Sequence, residues 1–125
     1  MQKRIYYYDT DCGGVVYYAN YLNYLEEART EYMDKKGLPV KRLADDGVLF
    51  VVARQEIDYK SPAVYGDLLN IETAVKDIGA AKIEFVYEIK KAPGGKMIAS
   101  AKTILVCVDR NLKPQVIPAD VREKI

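Results

Sequence analysis

The residues with the clearest potential for chemistry lie together at positions 8–21, in the segment YDTDCGGVVYYANY. Asp9 and Asp11 stand beside Gly13 and Gly14, just before apolar residues at helical spacing. A carboxylate can attack a carbonyl carbon or activate water. The first N–H groups of a helix have no intrahelical partner and suit a developing oxyanion. The segment therefore predicts a place where a carbonyl is polarised, although such a run is also typical of a polar turn.

The chain contains no histidine. Ser-His-Asp and Cys-His triads, histidine-ligated zinc and a histidine general base are therefore excluded. Any chemistry must depend on carboxylates, backbone dipoles, hydroxyls or lysines, and no metal site is expected. Cys12 adjoins Asp11, but without a histidine to form a thiolate pair we interpret it as a passive loop thiol. Asp9 is expected to accept loop N–H groups and fix the turn rather than share a proton with Asp11.

Composition narrows the class of protein. The 19 basic and 18 acidic residues nearly cancel and no basic run stands out, so a nucleic-acid partner is not expected. No apolar segment approaches the roughly 20 residues that span a bilayer. The N-terminal residues lack a secretory pattern, so a cytoplasmic location is expected, with Cys12 and Cys107 reduced. A length of 125 residues, half of them hydrophobic, predicts one domain over residues 1–125.

Hydrophobic periodicity predicts the elements that hold this segment. Apolar residues recur at helical spacing over residues 20–36, with Asn20 as the expected N-cap and Gly37 as the C′ residue. Alternation of apolar and polar residues predicts strands. The predicted strands cover residues 5–8, 49–59, 69–76, 82–90 and 97–108, with a turn at 92–95, an irregular stretch to 47 and a tail over 113–125.

The connections between the last four predicted strands are short, which favours antiparallel pairing over parallel crossovers. One long helix can then cover one face of a five-stranded sheet. The sequence therefore predicts an α+β fold with a five-stranded antiparallel sheet wrapped around a single long helix.

The segment at 8–21, continued by LEEARTEY at 25–32, closely resembles the 4-hydroxybenzoyl-CoA thioesterase family of hotdog-fold enzymes. It is especially similar to the acyl-CoA thioesterases associated with the Tol-Pal system. Further motifs follow in the order that the family expects: DYKSPA at 58–63, GD at 66–67, IET at 71–73, VCVD at 106–109, KP at 113–114 and IP at 117–118. The resemblance implies the hotdog fold and hydrolysis of an acyl thioester, carried by CoA or acyl carrier protein, to the free acid. It also implies a homodimer and then a tetramer, with the site between subunits and no cofactor besides the CoA of the substrate.

The resemblance also implies roles for individual residues. Asp11 would be the catalytic carboxylate, acting as nucleophile or as base for water, and the backbone N–H of Tyr18 would be the oxyanion donor. Tol-Pal-type members usually carry histidine where this chain has Tyr18, but a backbone donor does not depend on the side chain. Glu26 falls where hydroxybenzoyl-type enzymes keep an acidic side chain near the acyl group of a neighbouring subunit. Alternatively, it is an ordinary helix carboxylate paired with Arg29 or Arg54.

Four further residues are expected to contact the substrate. Gly14 and Val15 lie in the loop that would approach the thioester. The arginine pair that helps hold the CoA nucleotide in the hydroxybenzoyl type has no counterpart at 79–81. Lys60 or Lys82 would meet the phosphates instead, or each is a solvated surface lysine.

Two other functions compete with thioester hydrolysis. A hotdog hydratase or dehydratase would usually need a histidine, which this chain lacks. A module that binds acyl-CoA or acyl carrier protein, or joins an envelope complex, could use the same groove without catalysis. Release of free CoA separates the enzyme from such a module.

Overall fold

The computed structural model describes residues 1–125 and contains five strands. They are β1 (Gln2–Arg4), β2 (Leu49–Tyr59), β3 (Leu68–Ile78), β4 (Lys82–Ala92) and β5 (Lys96–Val108). All neighbours pair antiparallel, in the spatial order β1-β3-β4-β5-β2. Four of the strands match the periodicity of the sequence, and the turn at 92–95 joins β4 to β5 as predicted.

Three helices complete the fold: α1 (Asn20–Lys35), α2 (Val40–Asp45) and α3 (Ala119–Lys124). The predicted end of α1 is confirmed, because Gly37 adopts a φ of 75° and donates its N–H to the Asp34 carbonyl at 3.0 Å. The N–H of Leu38 then reaches the Met33 carbonyl at 2.9 Å, which completes a Schellman end. None of the helices is long and apolar enough to cross a membrane.

The core lies between α1 and one face of the sheet. Alternate residues of β4 turn their side chains inward, so that Ile83, Phe85, Tyr87 and Ile89 are buried while Glu88 is exposed. The residues that α1 buries against them are Tyr21, Tyr24, Leu25, Ala28 and Met33. Each fully buried aliphatic side chain of this kind is worth about 1.5–3 kcal/mol. The prediction of an α+β fold, with one long helix covering a five-stranded antiparallel sheet, is confirmed.

The predicted strand at residues 5–8 is wrong. The first strand is Gln2–Arg4, and Tyr7–Asp9 forms a single 3₁₀ turn instead. The carboxylate of Asp9 accepts the N–H of Tyr6 at 2.8 Å, which stabilises the turn. This local hydrogen bond favours the turn over the extended conformation that the β-propensity of the tyrosines predicts.

Two short helices were not predicted. α2 lies in the stretch expected to be irregular, and α3 lies in the tail. Each has six residues, which is too short for a helical period to be recognised. Each buries one apolar side chain in the core, Leu43 in α2 and Val121 in α3. Tertiary burial therefore determines both helices.

Candidate active site

Residues 10–16 form a narrow loop in which Asp11 begins the closing turn. Thr10 and Val16 pair across the base of the loop, and the N–H of Asp11 donates to the Val15 carbonyl at 2.9 Å. Gly14 closes the turn by donating its N–H to the Asp11 carbonyl at 3.1 Å, with a φ of 82°. The loop therefore holds the Asp11 backbone by hydrogen bonds on both sides while its side chain stays exposed.

One oxygen of the Asp11 carboxylate accepts a hydrogen bond within the chain, and the other does not. Oδ1 accepts the N–H of Gly13 at 2.8 Å, whereas Oδ2 accepts no hydrogen bond within the chain. A Cβ atom at Gly13 would come within 3.1 Å of Oδ1, so glycine keeps this approach open. The neighbouring Cys12 is exposed, Cys107 is buried, and both are free thiols. The free oxygen of Asp11 can therefore meet a carbonyl carbon or a water molecule.

The entrance of α1 presents the N–H of Tyr18. The carbonyl of Tyr17 accepts the N–H of Asn20 at 2.9 Å, and the N–H of Tyr18 donates no hydrogen bond within the chain. Because the C=O and N–H of a trans peptide point in opposite directions, the N–H of Tyr18 faces away from the helix. It also lies at the positive end of the helix dipole. This donor is therefore available to an oxygen that arrives from outside.

The carbonyl of Tyr18 accepts a hydrogen bond from a side-chain hydroxyl. Tyr59, at the end of β2, donates its hydroxyl to the Tyr18 carbonyl at 3.0 Å. Burial, and then the neighbouring Tyr18 phenol, raise the pKa of Tyr59 above its ordinary value. The hydroxyl therefore keeps its proton, and this hydrogen bond, across the neutral range.

A cleft of about 310 Å³ opens beside these groups. Its walls are Val15, Val16, Tyr18, Tyr21, Tyr59, Lys60, Ser61 and Pro62. The cleft brings together three residues predicted from the sequence, namely Val15, Tyr18 and Lys60. Asp11 and Gly14 do not line the cleft. They lie at the two ends of the closing turn, in the same loop as the lining residues Val15 and Val16. Burial raises the pKa of Tyr21 to about 12, so its hydroxyl stays neutral.

Asp9 connects the loop to the helix entrance. Its side chain is buried and accepts the N–H of Tyr6, as the sequence predicted for a residue that fixes the turn. Its carbonyl accepts two further donors, the N–H of Tyr17 at 3.0 Å and Nδ2 of Asn20 at 2.8 Å. The prediction that Asn20 caps α1 is therefore wrong, since Ala19 occupies the N-cap position and the Asn20 side chain reaches back to Asp9.

Glu26 lies apart from this cleft. It is eight residues beyond Tyr18, which corresponds to about 12 Å along the helix axis. Its carboxylate accepts the hydroxyl of Thr30 at 3.2 Å. The predicted alternative, a pair with Arg29 or Arg54, is wrong. Arg54 pairs with its own strand neighbour Glu56 at 2.6 Å.

Arg29 instead enters a polar cluster under the helix. Its Nη1 donates to the hydroxyls of Tyr87 at 3.1 Å and Thr103 at 3.3 Å. The hydroxyl of Tyr87 donates to Thr103, which donates in turn to Gln55. Glu26 and Arg29 share the rim of a second cavity of about 150 Å³, whose other walls are mostly apolar.

Lys82 lies at the other end of the sheet from Lys60. Lys82 pairs with Val106, whereas Tyr59, next to Lys60, pairs with Ala99 of the same strand. Seven residues of strand correspond to about 23 Å. Lys60 and Lys82 therefore lie far apart in one chain, and only Lys60 shares the cleft with Tyr18.

The sequence did not predict two contacts of the site, those made by the Tyr59 hydroxyl and by the Asn20 side chain. Both residues lie inside motifs noted above, at 58–63 and 8–21, but their hydrogen-bond partners are 41 and 11 residues away in the chain. Nowhere do three or more aspartate, glutamate or cysteine side chains come together in a way that could hold a metal ion.

The sequence matches known proteins over nearly its whole length. The family described as the thioesterase-like superfamily matches residues 6–125. The acyl-CoA thioesterase YbgC of Haemophilus influenzae is 39% identical over 121 residues, which cover 95% of this chain and 88% of that protein. The acyl-CoA thioester hydrolase YbgC of Escherichia coli is 34% identical over 119 residues, covering 94% and 88%.

The fold has a solved counterpart as well. The structure of 4-hydroxybenzoyl CoA thioesterase from Pseudomonas sp. strain CBS-3 superposes with a TM-score of 0.91 at 29% identity. The match covers 100% of this chain and 96% of that one. The expected hotdog fold and family are therefore confirmed. With its five-stranded sheet around one long helix, the chain belongs to the thioesterase-like superfamily and is a hotdog-fold thioesterase.

Proposed function

We propose that this enzyme hydrolyses an acyl-CoA thioester to the free acid and CoA, with Asp11 as the catalytic carboxylate. The YbgC relatives are named as acyl-CoA thioesterases, which supports acyl-CoA as the substrate class. The main observation in support of catalysis is that the N–H of Tyr18, at the entrance of α1 and beside the cleft, donates no hydrogen bond within the chain. No separate cofactor is needed, because CoA is part of the substrate. Acyl carrier protein is the alternative carrier of the acyl group.

In the proposed reaction, the thioester oxygen accepts the N–H of Tyr18. Negative charge builds on this oxygen as the carbonyl carbon becomes tetrahedral, and the donor and the helix dipole stabilise it. One donor of this kind contributes about 10²–10³ in turnover in other hydrolases. Gly14 and Val15 would line the approach to the carbonyl, and Lys60 would meet the CoA phosphates.

Two routes are open to Asp11. As a nucleophile, its free oxygen bonds to the carbonyl carbon, the C–S bond breaks, and water then hydrolyses the acyl-aspartyl anhydride. As a base, it takes a proton from water while the hydroxide attacks, and the proton passes to the departing thiolate. Both routes release one acid and one thiol for each water consumed. Incorporation of ¹⁸O into the Asp11 side chain during a single turnover in ¹⁸O water would identify the nucleophilic route, because only water that attacks the aspartyl carbonyl of the anhydride places the label there.

The complete site would lie between copies of this chain in a homodimer, which would assemble further into a tetramer. β2 is an edge strand of eleven residues, and its Val51 and Val52 are 39% and 53% exposed. A long edge strand with apolar side chains is a ready template for pairing. Such pairing would allow a second copy to bring Glu26 toward the acyl group and Lys82 toward the phosphates. A cytoplasmic location stays a prediction from the sequence.

Replacing Asp11 with asparagine tests the proposal. Loss of the catalytic carboxylate should lower turnover of acyl-CoA by about 10²–10⁴-fold, the usual contribution of such a group. The melting temperature and acyl-CoA affinity should change little, because the side chain is exposed and makes a single hydrogen bond, to Gly13. The measurement is release of free thiol from a panel of acyl-CoA substrates.

Asp34→Asn is the matched control, since Asp34 is an exposed carboxylate at the far end of α1. It should keep full turnover. Full turnover in Asp11→Asn would contradict the assignment of Asp11. Saturable binding of acyl-CoA by the native protein without thiol release would instead indicate a binding module.

A further inference from the structure

Asn20 holds the helix entrance with two separate hydrogen bonds. Its backbone N–H donates to the Tyr17 carbonyl at 2.9 Å. Its side-chain Nδ2 donates to the Asp9 carbonyl at 2.8 Å, eleven residues back in the chain. The Asn20 side chain is partly buried, so this contact is only partly open to competition from water.

The Asp9 carbonyl is the point where the loop and the helix meet. It accepts the N–H of Tyr17, one residue before the proposed oxyanion donor, and it lies two residues before Asp11. Together with the Asn20 contact, this fixes the peptide that carries the Tyr18 N–H relative to the base of the Asp11 loop. The segments that carry the two groups of the proposed reaction therefore meet at one carbonyl oxygen.

Helix stability does not explain the Asn20 side chain. Ala19 is the N-cap, and no side chain caps the first turn of α1. Asparagine has a lower helix propensity than alanine at a helical position. The amide of Asn20 is directed at the loop instead, so its contribution concerns the geometry between loop and helix.

We propose that Asn20 is a positioning residue, which sets the distance between the carboxylate of Asp11 and the N–H of Tyr18 through the Asp9 carbonyl. This inference rests on the proposed function. Asn20 touches neither the substrate nor the reacting atoms. Its effect belongs to the chemical step, because the two groups must converge on one tetrahedral carbon, and a misplacement of about 1 Å can cost 10²-fold in rate.

Two substitutions test the role of the amide. Asn20→Ala removes the side-chain donor. Asn20→Asp keeps the size of the side chain and places a carboxylate in the first turn, where the helix dipole favours it, but can only accept hydrogen bonds. Both should lower kcat about 10- to 100-fold. KM should stay within about threefold, since a change confined to the transition state lowers kcat and kcat/KM together.

Asn23→Ala is the control, because Asn23 is exposed on the same helix and makes no hydrogen bond through its side chain. Its kcat should match that of the native enzyme. Hydrogen exchange gives a second readout that does not require turnover. The Tyr17 amide should exchange faster in both Asn20 variants, whereas the Leu25 amide in the middle of α1 should keep its protection.

The outcomes are distinct. Native kcat in Asn20→Ala and Asn20→Asp, together with an inactive Asp11→Asn, would overturn the positioning role and leave the proposed function standing. A loss of activity that follows only the folded fraction, or only KM, would also overturn it. Full turnover in Asp11→Asn would overturn both the proposed function and the role of Asn20.

Discussion

At the scale of single residues, the candidate site combines one side chain and one backbone group. Asp11 provides a carboxylate with a free oxygen, and Tyr18 provides an N–H that no group in the chain accepts. Because the chain has no histidine, no imidazole can act as a general base or acid beside them. The hydroxyls of Tyr21 and Tyr59 beside the cleft stay neutral, because burial raises the pKa of each. Their contribution is therefore through hydrogen bonds and packing.

Tyr59→Phe removes the hydroxyl that holds the Tyr18 carbonyl. A hydrogen bond of this kind is worth about 1 kcal/mol, so we expect kcat to fall about fivefold. Tyr65→Phe is the control, since Tyr65 is 63% exposed and its hydroxyl makes no hydrogen bond within the chain. Steady-state kinetics with one acyl-CoA measures both variants. Equal kcat in the two variants would show that the Tyr59 hydroxyl does not hold the Tyr18 peptide in its active position.

At the scale of elements, two units must keep a fixed relation: the Asp11 loop and the start of α1. The loop is closed by backbone hydrogen bonds between Asp11, Gly14 and Val15. α1 is anchored by a buried face that includes Tyr21, Tyr24 and Leu25. The helix is therefore the rigid partner, and the loop depends on its turn geometry and on Asp9.

Gly14→Ala tests that geometry. Gly14 has a φ of 82°, and a Cβ there would meet nothing within 4 Å, so the substitution adds backbone strain without a clash. We expect the free energy of unfolding to fall by about 1–2 kcal/mol, and kcat to fall because the strained turn moves Asp11. Gly37→Ala is the control, because Gly37 has a φ of 75° and equally open surroundings at the far end of α1.

The two glycine variants should lose similar stability in denaturant unfolding, while only Gly14→Ala loses turnover. If both variants kept native kcat, the exact turn at position 14 would have no part in placing Asp11. If both lost kcat equally, the loss would reflect stability alone.

At the scale of the whole molecule, one chain holds only part of the proposed site. Lys60 and Tyr18 share a cleft, but Lys82 and Glu26 lie far from it in the same chain. The free edge of β2 offers the surface by which a second copy could complete the site. Assembly and activity should therefore depend on each other.

Val52→Glu places a charge on this edge. A buried, unpaired carboxylate between two copies is costly, so we expect the protein to become monomeric and to lose most of its turnover. Sedimentation and thiol release measure the two effects. Val116→Glu is the control, since Val116 is 70% exposed and lies outside β2, in the segment between β5 and α3. A monomeric Val52→Glu variant with native turnover would show that one chain suffices for catalysis.

The sequence by itself determined the elements with a long hydrophobic period. A hydrophobic period of 3.6 residues predicted α1, and a period of 2 residues predicted the strands β2 to β5. These elements bury one face over at least three helical turns, or over about ten residues of strand, which is long enough for the period to be recognised. The end of α1 followed from Gly37, since only a residue that tolerates positive φ ends a helix in this way. Resemblance to a known family added Asp11 and Tyr18, which no period can indicate.

Only the tertiary structure decided the contacts between segments distant in the chain. Asn20 and Asp9 meet across eleven residues, and Tyr59 and Tyr18 meet across 41. The short helices α2 and α3 form because Leu43 and Val121 find places in the core. The separation of Lys60 from Lys82 depends on strand register. A local pattern carries information about burial and turns, whereas hydrogen-bond partners and distances depend on how the packed elements lie relative to one another.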